Sequence, residues 1–355
     1  MVAAVMAGSG LPVQANPSGA APSAAGLERL SGFFENEVTT GKLAGAVVLI
    51  QQHGRPVYFR SFGVRNCATK LPMTPDTIFA VHSMTKPITS LAAMMLIDQG
   101  RLALADPVSR YIPAFAAVKV GVDSRAKDGT PVLKPVRPNR PVTIQDLLRH
   151  TSGVTYDYIG SDLIKNAYSD ANIFEGPFNN GDFAERVARL PLARQPGTLW
   201  RYGHSTDVLG RIIEIVAGKS LFSFLISTIT DYARFAQMLL NRGKLDGKQY
   251  LSPAAFRQMT SDQIGPGSGV MRDYFYFPGD GFGYGYGVAV RTDPGNARPP
   301  PPGSIGELKW DSGSGTYFGV DPKLDMLYIL MEQTQPERGR IVPAFRKLVY
   351  DAFEK

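Results

Sequence analysis

Leu27, Leu30, Phe33 and Phe34 recur at helical spacing and predict a helix over residues 26–41. The pattern then shortens to strand-like runs. Residues 44–52 and 56–62 flank His53-Gly54-Arg55 and read as a β-hairpin. A run of apolar helix formers, 88–97, is stopped by Gly100 and predicts a second helix. A short helix is expected between Val108 and Tyr111, and residues 121–141 read as an irregular loop. Thr143 is placed to cap a helix over 144–150. Leu209, Ile212, Ile213 and Val216 share one face of a helix that follows Ser205 and stops at Gly218. Another helix is expected over 230–240, and a short one from Ser252-Pro253. In the last third the pattern predicts strands over 284–292, 306–311, 316–320 and 326–332, then a helix over 341–353.

Strands at both ends with helices between them predict an α+β fold. One antiparallel sheet is built from both termini and flanked by helices as an α/β sandwich, with an all-α region inserted. The expected layout is a disordered Ala/Gly/Pro-rich leader over 1–25 and one domain over 26–355. Within that domain, 26–82 and 230–355 form the α/β part and 83–229 the helical part.

Composition narrows the function. With 355 residues, 44% of them hydrophobic, the chain can bury a sizeable core. The net charge of +7 comes from scattered basic residues. Their densest cluster, 125–140, is proline-rich and reads as a solvated loop, so no nucleic acid is expected as partner. Cys67 stands alone, which excludes an internal disulfide and a cysteine metal site. His53, His82, His150 and His204 lack metal-ligand spacing. No metal or other cofactor is expected. No segment reaches the roughly 20 apolar residues of a membrane span. The first basic residue is Arg29, so the charged start of a signal peptide is missing, which favours the cytoplasm over the periplasm.

The candidate chemistry lies in Ser83-Met84-Thr85-Lys86, an S-x-x-K string just before the 88–97 run. A serine at a helix mouth with a lysine three residues on puts hydroxyl and amine on one face. Backbone N–H groups there favour developing negative charge. An amine of lowered pKa is expected to take the serine proton. Alone, the string reads as readily as a cap and a solvated charge. Three further strings follow it. Leu148-Arg149-His150-Thr151-Ser152-Gly153 reads as a helix end that shapes the site without doing chemistry. Trp200-Arg201-Tyr202-Gly203-His204-Ser205 places a tyrosine just before a helix. Trp310-Asp311-Ser312-Gly313-Ser314-Gly315-Thr316 reads as a turn whose edge can supply a backbone N–H to an oxyanion.

Together these segments resemble the serine β-lactamase and penicillin-binding-protein superfamily, most nearly the family VIII bacterial carboxylesterases, which share the class C β-lactamase fold. The likeness spans residues 26–225 and 226–353. It implies that Ser83 is the acylated nucleophile and that Lys86 and Tyr202 share the proton traffic, with Tyr202 the base. It also implies an oxyanion hole from the N–H groups of Ser83 and a residue near Gly313. No G-x-S-x-G elbow supports a lipase mechanism.

Two departures bear on substrate. His204 stands where β-lactamases of this fold carry the asparagine of Y-x-N. Trp310-Asp311-Ser312 stands in place of K-T-G, so the lysine that binds a β-lactam carboxylate is absent. Both favour small neutral esters over anionic antibiotics, with His204 and Trp310 as substrate contacts. A third departure concerns length. After Gly218-Lys219-Ser220-Leu221 the resemblance implies several dozen residues before the segment matched by Ser227-Thr228-Ile229-Thr230. Here Leu225 abuts Ile226, as after an internal deletion. The flanking helices are then expected to meet in a tight turn near residues 227–230, leaving apolar surface exposed. The expected activity is a carboxylesterase for short acyl chains. The alternatives are a β-lactamase or D-amino-acid peptidase, and a non-catalytic scaffold or binding module.

Overall fold

The computed structural model describes residues 21–221 and 225–354. Eight antiparallel strands form one sheet. Their order is Phe282–Tyr284, Ala289–Arg291, Leu308–Asp311, Tyr317–Asp321, Met326–Met331, Gly45–Gln52, Arg55–Asn66 and Leu71–Pro72. The last long strand of the chain therefore pairs with the first, Val47 opposite Met331 and Gln52 opposite Met326. This is the expected α+β sheet built from both chain ends.

Gly45–Gln52 is apolar along most of its length because both faces of the sheet are covered. Ala46, Val48 and Ile50 pack with Leu30 and Phe34 of the helix Ala24–Thr39 and with Phe345 and Val349 of Arg338–Phe353. Val47 and Leu49 point the other way, into a core shared with Ile229, Tyr232 and Ala236 of Ile229–Leu240. A third core joins the helices Thr85–Asp98, Ile144–Leu148, Asn180–Ala188 and Ser205–Ala217. The C-terminal helix is also fastened by charge. Arg346 Nη2 donates to both carboxylate oxygens of buried Glu307, at 2.8 and 2.9 Å. Glu307→Gln should leave that guanidinium buried without its counter-ion, costing about 3 kcal/mol and lowering Tm by roughly 4 °C in a thermal melt.

Local signals place the helix ends. Thr143 and Asp146 form a reciprocal capping box, and Gly218 ends Ser205–Ala217 in the left-handed region with φ 68°. The expected leader lies largely on residues 1–20, outside the described residues, and helix begins at Ala24.

Two expectations are corrected. Residues 121–141 are not irregular throughout, because Val120–Arg125 pairs with Pro131–Val136 as an antiparallel ribbon. Its prolines hid it, but a two-stranded ribbon has free edges where a missing N–H costs nothing. The strand expected over 284–292 is broken in two by a turn at Gly285 and Gly287, the latter with φ 83°. The helices Asp162–Asp170 and Asn180–Ala188 were not anticipated, although Asn179 and Asp182 form a capping box.

The expected tight turn at the short link is also replaced. Ile226–Ser227 forms a strand that pairs with Phe79–Ala80, just before Ser83. Val81 N donates to Leu225 O at 3.1 Å, and Leu225 N donates to Thr85 Oγ1 at 3.2 Å. The link thus buttresses the S-x-x-K segment. Its outer face remains apolar, with Ile226 70% and Ile78 63% exposed.

Candidate active site

Ser83 lies in the helical turn His82–Met84, between the strand Phe79–Ala80 and the helix Thr85–Asp98. It is half-buried, and Lys86, one turn on, is buried. Both line a cavity of about 500 Å³, together with Tyr156, His204, Asp207 and Gly313. Tyr158, Phe174, Phe178 and Phe183 complete an aromatic wall. Within that wall the Tyr156 and Tyr158 rings stack at 5.2 Å, and Phe174 lies 5.4 Å from Phe183 and 5.6 Å from His204.

Lys86 is the electrostatic centre. Its Nζ lies 5.0 Å from the Tyr202 ring centroid and 5.9 Å from that of Tyr156. Burial pushes the ammonium pKa down, but Tyr156, Tyr202 and Asp207 outweigh it and hold Lys86 well above the ordinary lysine value. The expected amine of lowered pKa is therefore overturned, and Lys86 is a cation at neutral pH. Burial opposes ionisation of Asp207 too, yet His204 and Lys86 keep its carboxyl below the usual range. His204 Nδ1 lies 3.3 Å from Asp207 Oδ2. Burial holds the Tyr156 phenol above its ordinary value despite Lys86.

Tyr202 follows the strand Leu199–Trp200 and sits against Lys86, 6% exposed. Its hydroxyl is buried with no hydrogen-bond partner among the described residues. Gly203 permits this placement, since a Cβ there would lie 2.5 Å from Thr155 Cα. The close approach of the two backbones brings the Tyr156 and Tyr202 rings to 5.5 Å. His150 packs behind Tyr202 with ring centroids 4.8 Å apart. Burial, then the Lys86 charge, lowers its pKa to about 3, so the imidazole is neutral. Ser152 Oγ, 2.8 Å from Ser205 Oγ, ties this turn to the helix after Tyr202.

Gly313 and Ser314 form the opposite lip of the cavity. Ser314 Oγ donates to Ala80 O at 3.3 Å, and Gln333 Nε2 donates to the same oxygen at 3.2 Å. Trp310 is not on the cavity wall. It is 4% exposed and packs 5.7 Å from the Tyr202 ring and 5.3 Å from Tyr284. Its expected role as a substrate contact becomes that of a backing for Tyr202. Strand alternation explains this, because Trp310 faces the core on Leu308–Asp311.

The structure thus gathers Ser83, Lys86, Tyr202, His204 and Gly313, and adds Tyr156, Asp207 and the phenylalanines. Tyr156 stands in none of the motifs, and the sequence reading missed it; the closely spaced Tyr156 and Tyr158 after Gly153 are the local signal that could have found it. Asp207 lies one helical turn after His204, a spacing that signals contact. Among the described residues no group of three or more His, Cys, Asp or Glu side chains is arranged to hold a metal ion.

A family profile described as beta-lactamase matches residues 30–225. An uncharacterized protein of Mycobacterium tuberculosis is 29% identical over 360 residues, covering 84% of this chain and 87% of the relative. Esterase EstB of Burkholderia gladioli is 34% identical over 197 residues, covering 54% of this chain and 46% of EstB. Among solved structures, EstCE1, a hydrolase with promiscuous acyltransferase activity, superposes with a TM-score of 0.75 at 24% identity. That likeness covers 92% of this chain and 99% of EstCE1.

Proposed function

The chain belongs to the beta-lactamase family, and we propose that it is a serine carboxylesterase that cleaves short-chain esters through an acyl-enzyme on Ser83. The observation that carries this reading is the placing of Ser83 and Lys86 on one aromatic-walled cavity, with the Tyr202 ring packed against Lys86 behind that wall. Tyr202, beside the Lys86 ammonium, acts as the base that takes the Ser83 proton while Oγ attacks the ester carbonyl carbon. The N–H groups of Ser83 and of the Gly313 turn hold the oxyanion. Collapse breaks the bond to the alcohol oxygen, which receives the proton from Tyr202. Water, giving its proton to Tyr202, then attacks the acyl carbon; the bond to Ser83 Oγ breaks, Oγ takes the proton back from Tyr202, and the acid is released. His204 lines the cavity and orients through Asp207.

The β-lactamase or D-amino-acid peptidase reading needs a cation for the substrate carboxylate. Lys86 is the one lysine or arginine on the cavity wall among the described residues, and it is committed to the tyrosines and Asp207. Catalytic efficiency on p-nitrophenyl butyrate should therefore exceed that on benzylpenicillin by ~10²-fold or more, the worth of a charge-assisted contact of about 3 kcal/mol. Parallel steady-state assays on the two substrates decide this, and equal efficiencies would favour the lactamase reading.

A further inference from the structure

Glu332 is a buried carboxyl that the proposed chemistry does not use. It continues the strand Met326–Met331 and has no exposed surface. The neighbouring register sets Tyr317 opposite Leu330, so Gly315 falls opposite Glu332. Gly315 has φ 108°, and a Cβ built on it would lie 1.4 Å from Glu332 Oε1. The carboxyl therefore fills the space over the Gly315 Cα. Oε2 accepts a hydrogen bond from Thr334 N, while Oε1 has no partner among the described residues.

The turn above it reaches the cavity. Ser312 Oγ lies 2.7 Å from both Ser314 Oγ and Thr316 Oγ1. Ser314 and Gln333, the residues next along from Gly315 and Glu332 in the same register, both bind Ala80 O, three residues before Ser83. We propose that Glu332 is a positioning residue whose neutral carboxyl seats the turn 312–316 against the Ser83 cavity, and whose ionisation weakens the oxyanion side. Its kinetic half rests on the esterase reading.

The charges around it support this. Among the described residues no cation acts on Glu332, and the one charged group that does act on it is Glu337, of the same sign, on the turn Gln335–Glu337. Nearby Arg338 pairs with Asp311, and Arg340 with Glu37 and Glu337. Burial pushes the Glu332 carboxyl up to about 7, against the Thr334 hydrogen bonds and with Glu337. Above that pH an uncompensated negative charge lies beneath the donors that would stabilise an oxyanion, and opposes charge developing there.

The sign for stability follows from the same shift. A carboxyl raised from 4.5 to about 7 is best tolerated below the lower value. Stability relative to a non-ionising side chain is lost as pH rises through that window. The test is Glu332→Gln against the native chain between about pH 5 and pH 9, read as kcat/KM on p-nitrophenyl butyrate and as Tm. The ratio of kcat/KM, variant over native, should rise roughly fivefold or more across the range, and the Tm gap should widen in favour of the variant. A flat ratio in an active enzyme overturns the positioning role, and a flat Tm gap overturns the buried titration. If the native chain hydrolyses no ester, the esterase reading fails by itself, and the Tm gap still decides whether Glu332 titrates in its seat. Should the glutamine chain not fold, Glu332→Met carries both readings.

Discussion

Ser83→Ala should reduce ester hydrolysis by ~10⁴-fold or more, because covalent catalysis is lost while oxyanion binding survives. Ser83 is half-buried in the turn His82–Met84, and removing one hydroxyl there leaves the fold untouched. The loss should therefore appear in kcat, with Tm unchanged in a parallel melt. Hydrolysis of p-nitrophenyl acetate and butyrate by both proteins measures it, after subtracting the background from surface lysines. Equal rates would remove Ser83 from the chemistry and the esterase assignment with it.

Lys86→Ala and Tyr202→Phe should each lower kcat by about 10³-fold, the range for a lost general base. The double variant should be little worse than either, since groups acting as one unit are non-additive. Stability should separate the two single variants. The Tyr202 hydroxyl is buried without a partner, so Tyr202→Phe forfeits no hydrogen bond and should melt no lower than the native chain. Lys86→Ala removes the cation that helps keep Asp207 ionised and should melt lower. Losses that multiply in the double variant would contradict a shared relay. A fully active Tyr202→Phe would return Tyr202 to the role of a core aromatic.

What could be read from the sequence was local. The caps at Thr143 and Ser252 and the stop at Gly218 each depend on a few adjacent residues, and each lies where expected. The sheet from both chain ends was legible because its central strands, Gly45–Gln52, Tyr317–Asp321 and Met326–Met331, are buried on both faces and read as near-continuous apolar runs. The ribbon at 120–136 was hidden by prolines whose tolerance depends on a free edge. The strand at Ile226–Ser227 depends on a partner at Phe79–Ala80, so the short link gave no local sign of it. In the site, the S-x-x-K string is a local signal, whereas the charge state of Lys86 is set by Tyr156, Tyr202 and Asp207 from distant segments. Trp310 was expected in the cavity because its motif position suggested it, but alternation along its strand turned it behind Tyr202.

The claim on which the account turns is that Ser83 is a working nucleophile despite the short link at Leu225-Ile226. Intact mass after incubation with a fluorophosphonate tests this most directly, followed by peptide mapping of any adduct. The account predicts one adduct per chain, located on Ser83 and absent from Ser83→Ala. A native chain that stays unlabelled while folded, or an adduct that persists in Ser83→Ala, would contradict it.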